Sequence, residues 1–349
     1  MTIMEKKKNM LAVLNGERPD HIPFWFMRQA GRYLPEYREL RAKAGGFLNM
    51  AYNPDLASEI TMQPIRRFDM DAAIIFSDIL TIPHALGQDL KFVTGEGPKL
   101  GAYDLKSLNF SKFEQTLTPV YDALSKTKSM LSDEGYHGTT LIGFCGAPWT
   151  VACYMVEGGG SKDWLSVKKL SYSDPKGFAE LIDLLVESSA KYLINQISAG
   201  AEVVQIFDSW AGALDTQSFR KWSIEPTKKM VELIRAVHPD TPIIGFPRCA
   251  GQKYLDYVQG TGVTAVGIDP SLDSIWAAEN IQPLVPVQGN LDPIALLAGG
   301  DALTSAAEKV LGDLSKDGGF IFNLGHGINK DTPIPHVEHL VKMIKDYKL

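Results

Sequence analysis

Eight short apolar runs, each closed by glycine, proline or a polar residue and separated from the next by a longer amphipathic stretch, constrain the fold of this 349-residue chain more than any other feature. They are Pro23 to Met27, Ala72 to Phe76, Thr140 to Phe144, Glu202 to Phe207, Pro242 to Phe246, Ala265 to Ile268, Leu284 to Val287 and Phe320 to Asn323. Parallel strands buried on both faces read as near-continuous apolar runs, and alternation with helical segments is the mark of βα units. Pro175 to Ser198 illustrates the helical kind. Phe178, Leu181, Ile182, Leu185, Val186, Ser189 and Tyr192 make a stripe at helical spacing, Asp174 is placed to cap it, Pro175 starts it and Gly200 stops it. A second helix, Thr216 to Val237, is expected to break or kink near Pro226, where the backbone donor is missing.

Eight strands alternating with helices predict a distorted parallel (β/α)8 barrel of the TIM type, whose usual size is about 250 residues. The surplus falls in the interval from Ile79 to Tyr136, rich in Gly, Pro and charges, which reads as an insertion after the second strand. No repeat, low-complexity tract or Ser/Pro/Gly-rich linker divides the chain, so residues 1–349 are expected to form a single domain. An open doubly wound sheet is the alternative.

A barrel carries its chemistry at the C-terminal ends of its strands, so the residues that follow each run are the informative ones. They are Arg28, Gln29 and Arg32; Ser77 and Asp78; Cys145 and Gly146; Asp208 and Ser209; Arg248; Asp269; Gln288 and Asn290; and Asn323 with His326. Arg28 and Arg32 offer planar guanidinium forks suited to carboxylate or phosphate, whereas Arg38 and Arg41 by themselves read as solvated helix charges. Asp78 follows the apolar Ala72 to Phe76 run, which fits either a carboxylate facing a ligand in the barrel mouth or a cap for the next helix, and the same choice applies to Asp208 and Ser209.

The formal net charge of -6 speaks against a nucleic-acid coat or a polybasic membrane binder, so any basic site must be local. Cys145, Cys153 and Cys249 are too few and scattered for a disulfide framework and read as small apolar packing groups. With no apolar signal core in Met1 to Asn15 and no run long enough to span a bilayer, a cytoplasmic protein is expected. Met155 to Ser161 is glycine-rich but lacks the Gly-Lys-Ser/Thr of a phosphate loop and reads as a mobile loop, and Gly95-Glu96-Gly97 with Gly101 is no dinucleotide fingerprint. His336 and His339 share a helix face without the rest of a zinc motif, so no metal is assigned.

Sixteen consecutive residues, Pro23 through Arg38 (Pro23-Phe24-Trp25-Phe26-Met27-Arg28-Gln29-Ala30-Gly31-Arg32 and onward), resemble the amino-terminal signature of the uroporphyrinogen decarboxylase family. Gly143-Phe144-Cys145-Gly146-Ala147-Pro148-Trp149-Thr150 resembles its second signature. Phe76 to Leu80, Phe207 to Gly212 and Asn323 to Gly327 match as well, so the likeness runs nearly end to end. The resemblance implies a distorted (β/α)8 barrel, a homodimer, no cofactor, and conversion of the four acetate arms of uroporphyrinogen to methyl groups, giving coproporphyrinogen in haem biosynthesis. It places Arg28, Gln29, Ala30, Gly31, Arg32, Asp78, Tyr154, Ser209 and His326 against the substrate, with Phe47 lining the pocket; on that chemistry the expected catalytic residues are Asp78, stabilising a cation on the pyrrole, and Arg28 and Arg32, clamping carboxylates.

Two alternatives accompany this expectation. Zinc-dependent cobalamin/thiol methyltransferases of the same superfamily use a His-x-Cys pair and a later cysteine. Here the comparable segment is Gly245-Phe246-Pro247-Arg248-Cys249, with proline where histidine is needed and no cysteine in the last hundred residues. A non-catalytic tetrapyrrole carrier would use the same arginines and Asp78.

Overall fold

The computed structural model describes residues 7–93, 95–316 and 318–349. Met1 to Lys6, part of the amino-terminal segment read above, lie outside the described residues. The central element is a seven-stranded parallel sheet formed by β1 (Ala72–Ile74), β4 (Thr140–Gly146), β5 (Val203–Asp208), β6 (Ile243–Pro247), β7 (Ala265–Gly267), β8 (Val287–Leu291) and β9 (Phe320–Leu324), paired in that order. Registers such as Ala72 with Thr140, Ile142 with Val203, Ile244 with Ala265 and Val287 with Phe320 place every C-terminal strand end at one edge.

Six of the eight predicted runs became strands, each within two residues of its expected bounds. Two need correction. Pro23 to Met27 is not a regular strand but a single bridge, Phe24 with Phe322. Pro23 has no N–H to give, and three of the four donors that follow it are taken by side chains, Phe24 N–H by Asp71 Oδ2 (3.1 Å), Phe26 N–H by Gln29 Oε1 (3.1 Å) and Met27 N–H by Asn323 Oδ1 (3.0 Å), while Trp25 N–H alone makes a ladder bond to Phe322 O (3.3 Å). The segment still touches both ends of the sheet, through Phe322 N–H to Pro23 O (2.8 Å) and Asp71 N–H to Phe24 O (3.1 Å).

The other correction is Leu284 to Val287. Leu284 is half exposed in a turn, and the strand runs instead over Val287–Leu291. Apolarity misled there because the inward positions are polar and satisfied. Gln288 accepts from Trp25 Nε1 (2.8 Å) and donates to Gln205 (3.1 Å), and Asn290 donates to the carbonyls of Asp269 (3.1 Å) and Leu272 (2.9 Å).

Alternate strand residues build two cores. Ala72, Ile142, Val203, Ile244, Phe246, Ala265 and Ile321 cluster on one face with Trp25, Met27 and the short helix Asn9–Leu14. The opposite face packs beneath the helices Pro54–Phe68, Phe113–Asp133, Pro175–Ser198, Glu225–Val237, Gly300–Leu314 and Ile334–Asp346. Pro175–Ser198 follows expectation: every residue of its predicted stripe is buried, and Asp174 accepts from Gly177 N–H (2.9 Å). The expected break before Pro226 is a π-helical turn, Arg220–Ile224, leading into Glu225–Val237.

The interval from Ile79 to Tyr136 holds a short helix (Thr81–Ala85), an antiparallel hairpin of β2 (Leu90–Val93) and β3 (Gly97–Leu100), and the helix Phe113–Asp133. Leu100 N–H reaches Gly158 O (3.0 Å), joining the hairpin to the glycine-rich loop that begins where the helix Pro148–Glu157 ends. Among the described residues no helix is long and apolar enough to cross a membrane.

Candidate active site

The edge formed by the C-terminal strand ends gathers Arg28, Asp78, Tyr154, Ser209, Arg248 and His326. Asp78 leaves β1 after Ser77. It does not cap the following helix, whose first flanking residue is Leu80. One carboxylate oxygen accepts Leu80 N–H (2.8 Å), while Thr81 bonds the Asp78 carbonyl through its hydroxyl (2.9 Å). Among the described residues no hydrogen bond reaches the second oxygen.

Asp78 is half-buried but closely ringed by protein atoms. Burial pushes its carboxyl up to about 6, against the opposing pull of Leu80 N–H and the Arg28 guanidinium. The site therefore holds a carboxylate that is costly to ionise alone and is stabilised by a cation close to it.

Arg28 supplies part of that cation field from an unusual backbone. Its φ of 61° lies in the left-handed region, which costs a non-glycine residue on the order of 1 kcal/mol. The turn is fixed by Gln29 N–H to Phe26 O (2.8 Å) and by Ile328 N–H to Met27 O (2.8 Å). The side chain is exposed and runs across Gly327, where it acts on Asp78, Tyr154 and His326 together. His326, directly after β9 and Gly325, is half-buried. Burial first, then Arg28 and Arg248, lower its imidazole to about 4, with Asp269 opposing, so the ring is neutral at physiological pH.

Tyr154 rises from the helix Pro148–Glu157 and packs edge-on against Trp164 (5.7 Å) and Trp210 (6.1 Å). Burial pushes its phenol up, so it stays a neutral donor. Ser209, the residue before Trp210, is half-exposed after β5. The adjacent Asp208 turns inward and is fully buried. It accepts from Thr150 Oγ1 (2.6 Å) and Ser223 Oγ (2.5 Å), and burial raises it to about 6 while those hydroxyls pull it back. Thr150 Oγ1 also accepts Trp210 N–H (3.1 Å), so this carboxylate ties the Tyr154 helix to the Ser209-Trp210 turn.

The remaining expected residues divide. Arg32 is exposed, and among the described residues neither Arg28 nor Arg32 has an acidic partner within ion-pair distance, which leaves both forks open to an anion. Ala30 and Gly31 are half-buried in the turn between the two arginines. The side chain of Gln29 is not at the mouth. It is fully buried and consumed by Phe26 N–H and by donation to Ala72 O (3.0 Å), while its carbonyl accepts from Tyr33 Oη (2.8 Å). Phe47 packs on Phe76 (5.4 Å) and on Phe92 of the hairpin (4.5 Å), forming an aromatic wall near β1.

Sequence reasoning did not anticipate the contribution of Phe92. The hairpin carries a usable signal in the apolar Leu90 and Phe92 on either side of Lys91, followed by the turn residues Gly95-Glu96-Gly97. Among the described residues no cluster of three or more His, Cys, Asp or Glu is arranged to hold a metal ion. All three cysteines are free, with Cys145 and Cys153 buried and Cys249 exposed.

A family profile described as uroporphyrinogen decarboxylase (URO-D) matches residues 5–347. The uroporphyrinogen decarboxylase of Mesorhizobium japonicum is 51% identical over 345 residues, covering 98% of this chain and 99% of its own. That of Sphingopyxis alaskensis is 49% identical over 340 residues, covering 97% and 98%. Among solved structures, a methyltransferase from Methanosarcina mazei superposes with a TM-score of 0.79 at 20% identity, over 97% of this chain and 98% of its own, a likeness of fold alone. The end-to-end match to the profile and to relatives of equal length settles the family: this chain belongs to the uroporphyrinogen decarboxylases.

Proposed function

We propose that this chain is a carboxy-lyase that converts the four acetate side chains of uroporphyrinogen to methyl groups, yielding coproporphyrinogen for haem synthesis, with the pyrrole itself as electron sink. The observation that carries the site reading is Asp78, a carboxylate with one oxygen unengaged, held within the field of the open Arg28 guanidinium.

The chemistry needs an electron sink because expelling carbon dioxide from a simple acetate leaves an unstabilised carbanion. Protonation of the ring carbon next to the acetate-bearing carbon makes an iminium-like cation. The electrons of the breaking carbon–carbon bond flow into it and carbon dioxide leaves. A proton then adds to the exocyclic methylene, and the proton first placed on the ring departs, so the net change is one proton taken up and one carbon dioxide released per acetate.

Asp78 accepts pyrrole N–H bonds and stabilises the cation that exists only along this path, which lowers the barrier more than it tightens ground-state binding. Arg28 and Arg32 hold substrate carboxylates. Neutral Tyr154, Ser209 and His326 complete the contacts by hydrogen bonding, and the backbone of the turn through Gln29, Ala30 and Gly31 sets the arginine spacing. The reading also takes residues 1–349 as one distorted (β/α)8 barrel, closed by Pro23 to Met27 and bearing an insertion after the second strand, that acts as a cytoplasmic homodimer. The segment's bonds to both ends of the sheet support that closure.

Methyl transfer has only a fold likeness behind it, and Pro247 stands where a histidine ligand would be needed. Anaerobic incubation of chelator-treated protein with uroporphyrinogen, followed by oxidation and separation of the porphyrins, tests the proposal. The seven- through four-carboxylate series supports it; unchanged substrate with folded protein favours a carrier or the methyltransferase alternative instead.

A further inference from the structure

Arg248 follows β6 directly and adds a further cation to the edge that carries Arg28 and His326. Its backbone is held on both sides: its N–H donates to Asp208 O (3.1 Å) and Phe246 O (3.1 Å), and its carbonyl accepts Gly212 N–H (3.0 Å). Gly212 is needed for that approach, because a Cβ there would lie 2.6 Å from both Cβ and the carbonyl oxygen of Cys249. The direction in which the arginine leaves the strand is therefore set by the fold.

The side chain is half-buried, and its Nε is fully enclosed with no hydrogen-bond partner. Among the described residues no carboxylate lies within ion-pair distance of it. Asp269, whose field meets that of Arg248 at Cys249, is already committed. It accepts Cys249 N–H (2.7 Å), Tyr254 Oη (2.8 Å), Ser271 N–H (3.0 Å) and Ser271 Oγ (2.6 Å). A charged donor enclosed without an acceptor is expensive, and such groups persist where a ligand completes them. Arg248 also acts with Arg28 on His326, which puts it on the substrate side of the sheet edge, yet it is not among the charges felt by Asp78.

We propose that Arg248 is a further substrate-binding residue, taking a carboxylate arm of the tetrapyrrole remote from the ring that reacts at Asp78. This rests on the decarboxylase reading. Because the contact is the same before and during reaction, it acts on binding rather than on the chemical step.

Steady-state kinetics of Arg248→Ala with uroporphyrinogen, beside titration of oxidised uroporphyrin followed by fluorescence quenching, tests the assignment. The expected result is a KM raised about fivefold or more, with a smaller change in kcat, and porphyrin affinity weakened in parallel with a shallower salt dependence. Arg248→Lys recovers part of the affinity, and Arg248→Gln, which keeps length without charge, covers the case in which the alanine variant folds poorly. KM and porphyrin affinity within about twofold of wild type in a folded Arg248→Gln protein would overturn the proposal. Absence of turnover by the wild type would overturn the decarboxylase reading instead, and the porphyrin titration would still report on Arg248.

Discussion

The Arg28 side chain crosses the face of Gly327 so closely that a Cβ on Gly327 would lie 2.8 Å from both Cγ and Nε of the arginine, and nearer still to Cδ. The absence of a side chain at residue 327 is therefore what lets the guanidinium reach Asp78, Tyr154 and His326 from a left-handed backbone. Gly327→Ala is expected to expel Arg28 from that path without disturbing the sheet. Steady-state kinetics should give a KM raised several-fold, on the order of one substrate carboxylate contact, while the melting temperature moves by no more than about 3 °C.

His326 offers a direct reading of the same field. Its imidazole titrates near 6.5 in an unfolded chain and near 4 in the fold. Between those values the unfolded chain binds the proton more readily, so acidification through that window lowers stability, and above it the group contributes nothing to the pH dependence. NMR of ring-labelled histidine should place the His326 midpoint near 4, and Arg28→Met should raise it, because one of the two cations that oppose protonation is gone. A midpoint that does not move would show that Arg28 lies elsewhere in solution.

Thr150 makes a structural prediction. Its hydroxyl gives a bond to buried Asp208 and takes one from Trp210 N–H, so Thr150→Val keeps the shape while leaving an acceptor and a donor unpaired. Loss of roughly 2 kcal/mol is expected in urea unfolding, since an orphaned buried group costs about 1–3 kcal/mol. The same variant should lower turnover by loosening Tyr154 and the Ser209-Trp210 turn.

Much of the architecture was legible because the strands are apolar on both faces. β4, with all seven of its residues buried, reads as a strand from Thr140 onward without any partner in view. Legibility failed where side chains replace ladder bonds. Nothing local in Pro23 to Met27 announces that Asp71, Gln29 and Asn323 would take its amide hydrogens, because two of those three are brought in from distant strands. It failed again at Gln288 and Asn290, whose polarity hides a strand that only a partner such as Gln205 or the Asp269 carbonyl makes acceptable in a core.

The site shows the same division. Position after a strand singled out Arg28, Asp78, Ser209 and His326, but could not say which of Asp208 and Ser209 faces the mouth. Strand alternation and the Thr150 and Ser223 hydroxyls send Asp208 inward. Gln29 sits between two mouth residues in sequence, yet its amide is drawn under the turn by the carbonyl of Ala72, a contact between segments more than forty residues apart.

The charge of Asp78 is the centre of the proposed chemistry, and asparagine in its place removes that charge while keeping the shape. The carboxyl titrates at 3.8 in its ordinary state and at about 6 in the fold, so the folded protein holds this proton more tightly between those values. Its contribution to stability therefore declines as pH rises through that window, and above about 6 the full cost of the buried charge is present. Removing that charge should leave stability at pH 7.5 unchanged, or higher by on the order of 1–2 kcal/mol. Turnover of uroporphyrinogen should fall at least roughly tenfold, because an electrostatic contact made to the transition state is often worth several kcal/mol. The decisive measurement is kcat of Asp78→Asn beside its melting temperature: a stable protein with a collapsed kcat is the predicted result, and a stable protein that turns over like wild type would contradict the mechanism.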